Sequence, residues 1–114
     1  MWLFTKQGFY SIVAKSAKEF HVRARARKDL ENLNRLAGTN YAIHRSEDAD
    51  YRWRMVMPGK AARAMVAKLA ADIDYANFKG VVAKTPGQAE KLDILHRIWG
   101  LMYDYQQDQE STER

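Results

Sequence analysis

Basic side chains stand at every second position of the segment HVRARARKD, residues 21–29. A second segment, YRWRMVM at residues 51–57, carries two more arginines with the same spacing. The planar guanidinium group binds phosphate or carboxylate through two parallel N–H donors. The spacing of these residues therefore indicates anion recognition. The basic positions are His21, Arg23, Arg25, Arg27, Arg52 and Arg54.

The two-residue period predicts that both segments are β-strands, in which successive side chains point to opposite faces. In the first segment, Phe20, Val22, Ala24 and Ala26 would share one face. In the second, Tyr51, Trp53, Met55 and Met57 would do the same. If helices cover these apolar faces, one sheet surface presents all the strand arginines. The predicted arginine face consists of Arg23, Arg25, Arg27, Arg52 and Arg54.

Two interpretations of this face stay open. An antiparallel sheet commonly has one polar side, and its arginines could pair with Glu19, Glu47, Asp48 or Asp50. Alternatively the face binds a phosphate-bearing ligand. Two observations favour binding. The basic residues of the two strands are mostly arginines, although lysine would serve solubility equally well. Like charges directly opposite each other on neighbouring strands also cost up to about 1 kcal/mol per pair.

The segment IDYANFKG, residues 73–80, adds Lys79 as a further candidate contact for the ligand. Its non-periodic polar residues are typical of a binding loop. They are also explained by a helix-linking turn in which Asn77 caps the next helix.

Aromatic residues lie close to these segments in the sequence, and nucleic-acid bases stack on such rings. Most of the rings are expected in the core, and no RNP-type motif or GxxG loop accompanies them. The aromatic residues considered are Trp2, Phe4, Phe9, Tyr10, Tyr41, Tyr51 and Trp53.

No residue pattern indicates catalysis or a metal site. The chain has no cysteine, and its three histidines form no HxH or HExxH pattern. Phosphate-loop and GxSxG motifs are absent. The pairs Asp93–His96 and Asp72–Asp74 could exchange protons, but each is more simply explained as a surface pair. We therefore predict a non-catalytic protein without a cofactor or metal.

The net charge of +5 is concentrated in the first part of the 114-residue chain. Residues 1–46 hold nine basic and three acidic side chains, whereas residues 47–114 hold ten and eleven. This asymmetry favours a polyanionic partner. The absence of cysteine and of a long apolar run predicts a cytoplasmic protein with no membrane segment.

Strand and helix patterns predict an α+β two-layer sandwich, with a small antiparallel sheet and helices on one face. A single domain is expected over residues 1–107, followed by a polar, frayed tail at 108–114. Strands are predicted at residues 2–14, broken near Lys6-Gln7-Gly8, and at 20–27, 41–45 and 51–57. Helices are predicted from Asp29 to Gly38, at 60–72 and at 88–107.

Four segments resemble those of a family of small uncharacterised bacterial and phage proteins. They are WLFTKQGFYSIV, HVRARARKDLENL, DADYRWRM and IDYANFKG. In pattern form the resemblance rests on WxFTxxGFYS, DADYRxR and IDYxNFK, and it runs from Trp2 to about Tyr103. It implies a compact single-domain protein and assigns no catalytic residue.

The leading hypothesis is a binding module whose arginine-rich face recognises a nucleotide-type molecule or nucleic acid. The alternative is a protein–protein interaction module or homodimeric adaptor. It would use the basic face or the last helix, whose apolar residues cover more than one core stripe requires. Those residues are Ile94, Leu95, Ile98, Leu101, Met102 and Tyr105.

Overall fold

The computed structural model describes residues 1–113 and divides into two compact units. The first unit is Met1–Tyr75 and the second begins at Ala76. The assignment of residues 1–107 to one domain and of 108–114 to a tail stays a prediction.

The first unit contains a five-stranded antiparallel sheet with the strand order β1-β2-β3-β5-β4. A two-residue turn at Lys6-Gln7 joins the first two strands, as predicted. The Thr5 hydroxyl stabilises it by accepting the Gly8 N–H at 3.1 Å. The strands are β1 (Trp2–Thr5), β2 (Gly8–Ser16), β3 (Glu19–Ala24), β4 (His44–Arg45) and β5 (Trp53–Met57).

Two helices, α1 (Arg27–Ala37) and α2 (Gly59–Ala71), pack on one face of this sheet. The α+β class with an antiparallel sheet is confirmed. Leu30 and Leu33 follow helical spacing and are fully buried, and α1 ends at Gly38 in the left-handed conformation, φ 69°. The buried core cluster is Tyr10, Ile12, Val22, Ala24, Leu30, Leu33, Met55, Met57, Ala62, Met65 and Leu69.

Three predicted strands are shorter in the structure, and one of them, predicted at 51–57, begins only at Trp53. The strand predicted at 20–27 ends at Ala24, and Arg27 already begins α1. Ala24 pairs with Trp53, the first residue of β5, so no strand residue remains on that side to continue the ladder. The predicted strand at 41–45 shortens to His44–Arg45, because the backbone N–H and carbonyl of Tyr41 bind the Asn34 side chain and not β5.

Asp29 and Tyr10 join α1 to β2 in the interior. The Tyr10 hydroxyl donates to the Asp29 backbone carbonyl at 2.6 Å. The Asp29 carboxylate accepts the Phe9 N–H at 3.2 Å. Gly8 lies so close that an added Cβ would stand 2.4 Å from the Asp29 Cγ. The N-terminal end of α1 is thereby fixed against the hairpin.

Burial of Tyr10 predicts a loss of stability in alkaline solution. Desolvation, with a smaller contribution from Asp29, raises the pKa of its hydroxyl well above the ordinary value. Above about pH 10 the unfolded chain releases this proton and the folded chain keeps it. The free energy of unfolding should then fall by about 1.4 kcal/mol per pH unit from this group.

Urea unfolding of the native chain and of Tyr10→Phe, between neutral pH and the alkaline range, measures this effect. The variant should lose about 1 kcal/mol at neutral pH, because the Asp29 carbonyl loses its donor. Its stability should fall less steeply above pH 10. Parallel curves for the two proteins would contradict the prediction.

The second unit is helical. It contains α3 (Phe78–Lys84), a short 3-10 helix (Ala89–Lys91) and α4 (Leu92–Glu113). Asn77 caps α3 by accepting the Gly80 N–H at 2.7 Å, as the turn interpretation predicts. The α4 helix begins four residues later than predicted and continues beyond residue 107 to Glu113. Every residue from Leu101 to Thr112 is exposed.

Candidate functional site

The sheet face opposite α1 and α2, here called the second face, carries one continuous row of side chains across all five strands. Directly paired residues point to the same side of a sheet. Arg23 and Arg54 are direct partners at the centre of the row. Their chain neighbours Val22, Ala24 and Met55 point into the core. The row is Trp2, Ser11, Arg23, Arg54 and His44.

The Arg23 side chain is half-buried and held from two sides. Its Nη2 donates to the Ser11 hydroxyl at 2.7 Å, and Ser11 is itself 1% exposed. Its guanidinium carbon lies 4.5 Å from the centre of the Tyr51 ring, a cation–π distance. Ser11 was not among the predicted site residues. The alternation of Phe9, Ser11 and Val13 with core residues indicates that Ser11 lies on the same face as the arginines.

The Arg54 side chain is held by His21. Arg54 Nη1 lies 3.0 Å from His21 Nδ1, and His21 Nε2 lies 3.0 Å from a Glu19 carboxylate oxygen. Arginine can only donate, so His21 Nδ1 accepts and its Nε2 carries the proton donated to Glu19. In this arrangement His21 orients the Arg54 guanidinium.

The two central arginines, called the arginine pair from here on, lack a counter-ion. Within residues 1–113 no carboxylate forms an ion pair with Arg23 or Arg54. Both Nε atoms are buried, with no hydrogen-bond partner among the described residues. An unsatisfied buried donor costs about 1–3 kcal/mol, and more when charged. The pair therefore carries an electrostatic cost that a bound anion would offset.

Tyr51 lies beside the arginine pair and not in the helix-side core, which corrects the predicted position. Tyr51 precedes β5, which begins at Trp53. The strand alternation that predicts Tyr51 on the same face as Trp53 therefore does not extend to it. Its ring is 5% exposed, 6.4 Å from the Phe9 ring. Arg25 lies over it at 4.3 Å and donates to the Asp50 carbonyl at 2.9 Å. Tyr51 thus packs against both Arg23 and Arg25.

Arg27 and Arg52 have partners away from the arginine pair. Arg52 contacts Glu47 at 2.8 Å, and Glu47 also binds Arg45. The hydrogen bond from Arg45 is the main cause that lowers the pKa of Glu47. Arg27 belongs to α1, where it lies 5.4 Å from the Trp53 ring and 4.0 Å from Glu31. The predicted five-arginine face therefore does not form as one surface.

Lys79 belongs to the second unit. Its Nζ lies 5.0 Å from the centre of the Trp99 ring and 3.5 Å from His96 Nδ1. His96, Trp99 and Tyr103 stack successively along α4. Lys79 thus has partners of its own within this unit.

Three aromatic rings extend the second face toward β1. Phe4 and Phe9 stack with their centres 4.4 Å apart and nearly parallel, at 8°. Trp2 meets Phe9 edge-on at 6.0 Å and is 68% exposed. These rings do not belong to the helix-side core cluster. The expectation that most aromatic residues fill the core is therefore wrong for this group.

The other candidate pairs have simple partners. Lys6 contacts both Asp72 and Asp74, at 3.7 and 2.7 Å. The hydrogen bond between Lys6 and Asp74 raises the pKa of the lysine and lowers that of the carboxyl. Asp93 pairs with Arg97 at 3.2 Å, and no contact with His96 is found among the described residues. The described chain also contains no cluster of three potential metal ligands.

None of the helices in residues 1–113 is both long enough and apolar enough to cross a membrane. Comparison with known protein families, curated proteins and solved structures finds no match for this chain. The family resemblance of the four segments stays a prediction.

Proposed function

We propose that the protein is a non-catalytic binding module that recognises a phosphate-bearing ligand at the arginine pair. The observation that carries this proposal is the pair of directly opposed arginines, neither of which forms an ion pair with a carboxylate within residues 1–113. Phosphate oxygens accept hydrogen bonds from guanidinium groups in bidentate geometry. One anion bound by the Nη groups of the two side chains would offset the repulsion between their charges.

The surrounding residues have positioning roles in this proposal. Ser11 and His21 hold one N–H of each guanidinium and leave the other donors for the ligand. Tyr51 supports Arg23 from beneath. Arg25 is exposed and lies over the same Tyr51 ring as Arg23, so it is the third candidate contact for the ligand. Arg27 and Arg52 are not assigned a contact, because each pairs with a carboxylate, Glu31 or Glu47. Lys79 is not assigned one, because it belongs to the second unit and lies over Trp99.

Calorimetric titration with inorganic pyrophosphate, and separately with ATP, tests the proposal. At constant ionic strength, saturable binding of either probe at one per chain is expected. Ultraviolet absorbance and mass spectrometry of the supernatant from denatured, freshly purified protein would identify a ligand retained from the cell. Absence of binding up to roughly 10 mM probe, a free energy weaker than about 3 kcal/mol, would contradict it.

A homodimeric adaptor is the second candidate, supported by the exposed apolar side chains of α4. Leu101, Met102 and Tyr105 are 69%, 60% and 58% exposed. A helical segment of about 12 residues is marginal in water without tertiary contacts. A second copy packed along this stripe would stabilise it.

Light scattering tests this candidate. We expect a dimer mass for the native chain and a monomer mass for Leu101→Glu/Tyr105→Glu, because two charges would then enter an apolar contact. The matched control, Gln107→Glu/Ser111→Glu, adds the same charge on the side of α4 opposite this stripe and should remain a dimer. A monomeric native chain would rule out this candidate.

The cytoplasm remains the predicted location, on the argument from the absence of cysteine.

A further inference from the structure

The exposed ring of Trp2 is not explained by folding. It is 68% exposed, is absent from the core cluster and stands on the edge strand β1. A large exposed aromatic side chain beside a basic surface is typical of a recognition site. Trp2 pairs with Ser11, and Ser11 binds Arg23. One short path of contacts therefore leads from this ring to the arginine pair.

The dimensions of the row suit an extended ligand. Strands in a sheet are about 4.8 Å apart, so the row from Trp2 to His44 spans about 19 Å. Trp2 lies two strands, or about 10 Å, from Arg23. A nucleotide whose base stacks on Trp2 could thus place its phosphate near the arginine pair. The row continues past Arg54 to the exposed His44, beyond the reach of that nucleotide.

We infer that the second face binds single-stranded nucleic acid, laid across the strands. This inference rests on the proposed function of the arginine pair. Bases stack on Trp2 and against the Phe4–Phe9 pair, while Arg23 and Arg54 bind the backbone phosphate. A duplex does not fit this chemistry, because its bases stack on one another and leave no free ring face. Aromatic residues on a sheet commonly hold two or three bases.

Fluorescence anisotropy with labelled oligothymidylates and oligouridylates of increasing length tests the inference. Affinity should rise from the mononucleotide to about three nucleotides and then level off. Stacking should quench tryptophan fluorescence. Trp2→Ala should remove this quenching and weaken binding by roughly 5- to 150-fold, the range for one stacked base. Trp2→Phe keeps a ring and should retain most of the affinity.

Trp99→Ala is the matched control, since Trp99 is also an exposed tryptophan, at 54%, but lies in the second unit. It should leave affinity unchanged. Contact of the arginine pair with one backbone phosphate predicts a slope of about −0.7 for log affinity against log salt. The comparison of the thymidylate and uridylate series distinguishes DNA from RNA as the preferred strand.

The outcomes separate this inference from the proposed function. If pyrophosphate binds through the arginine pair, but chain length and Trp2→Ala change nothing, the ligand is a small phosphate compound and the inference is wrong. Tighter binding of a duplex than of a single strand would also overturn it. If neither pyrophosphate nor any oligonucleotide binds, the proposed function itself fails.

Discussion

Replacing Arg23 and Arg54 together with glutamine is expected to weaken pyrophosphate binding by at least about 100-fold. A hydrogen bond to a charged group contributes about 1.5–3 kcal/mol, and 1.4 kcal/mol corresponds to a factor of ten. Two such contacts are lost in Arg23→Gln/Arg54→Gln. Since the arginine pair has no internal counter-ion, the substitution breaks no ion pair of the described fold.

The same double substitution should change the free energy of unfolding little, because relief of the like-charge repulsion offsets the lost bonds to Ser11 and His21. The native pair opposes two like charges across neighbouring strands, which is unfavourable. Urea unfolding measures this directly. A large loss of stability would show that the arginines hold the sheet together, and the binding result could not then be assigned to the ligand.

A matched variant, Arg45→Gln/Arg52→Gln, removes the same two charges from neighbouring strand and loop positions. Those two arginines bind Glu47 on the exposed surface. Their effect on pyrophosphate is screened by solvent and salt, so we expect a loss of less than about threefold. An equal loss of pyrophosphate affinity in both variants would show that the ligand responds to net charge and not to the arginine pair.

The conservative variant Arg23→Lys/Arg54→Lys tests the geometry of recognition. It keeps both charges but removes the planar fork that binds phosphate in bidentate fashion. We expect affinity between that of the native chain and that of the glutamine variant. Full retention by the lysine variant would show that charge alone attracts the ligand.

Replacing Tyr51 with alanine is expected to cost about 3 kcal/mol or more of stability, the usual range for truncating a buried aromatic side chain. The ring is 5% exposed and contacts Phe9, Arg23 and Arg25. Its loss leaves a cavity beneath both guanidinium groups. Urea unfolding with fluorescence detection measures the change, and Ile73→Ala, at a 60% exposed position of the first unit, is expected to change stability by less than about 0.5 kcal/mol.

Tyr51→Ala should also weaken pyrophosphate binding under conditions where the variant remains folded. Without the ring, Arg23 loses the surface that restricts its rotamers, and ordering it again costs conformational entropy. Tyr51→Phe keeps the ring and should match the native chain in both measurements. Tyr51→Leu fills much of the volume without a π face, so it separates packing from cation–π support. Unchanged affinity in a folded Tyr51→Ala protein would remove Tyr51 from the site.

The sequence was most informative where side-chain period and burial agree. The alternation in residues 20–24 and 53–57 predicted which side chains point to the core, and Val22, Ala24, Met55 and Met57 are buried there. Leucine spacing predicted α1, and the turn interpretation of residues 73–80 predicted Asn77 as the N-terminal cap of the next helix. These features are local, because each depends on backbone geometry over a few consecutive residues.

The extent of the arginine face could not be predicted in the same way. Alternation continues in the sequence through Arg27, but a strand lasts only as long as a neighbour pairs with it. The ladder of β3 and β5 ends at Ala24 and Trp53. Arg27 therefore joins a helix, Arg52 turns to Glu47, and Tyr51 packs beneath the arginines.

By itself, the sequence determined the α+β class, the core faces of the strands and the presence of arginines opposite them. Only the tertiary structure decided which arginines meet. Strand register places Arg23 opposite Arg54 and brings Ser11 and Trp2 into the same row, and within residues 1–113 neither arginine forms an ion pair. Register depends on pairings between strands, such as Arg23 with Arg54, which are 54 − 23 = 31 positions apart, and no pattern within one strand encodes those pairings.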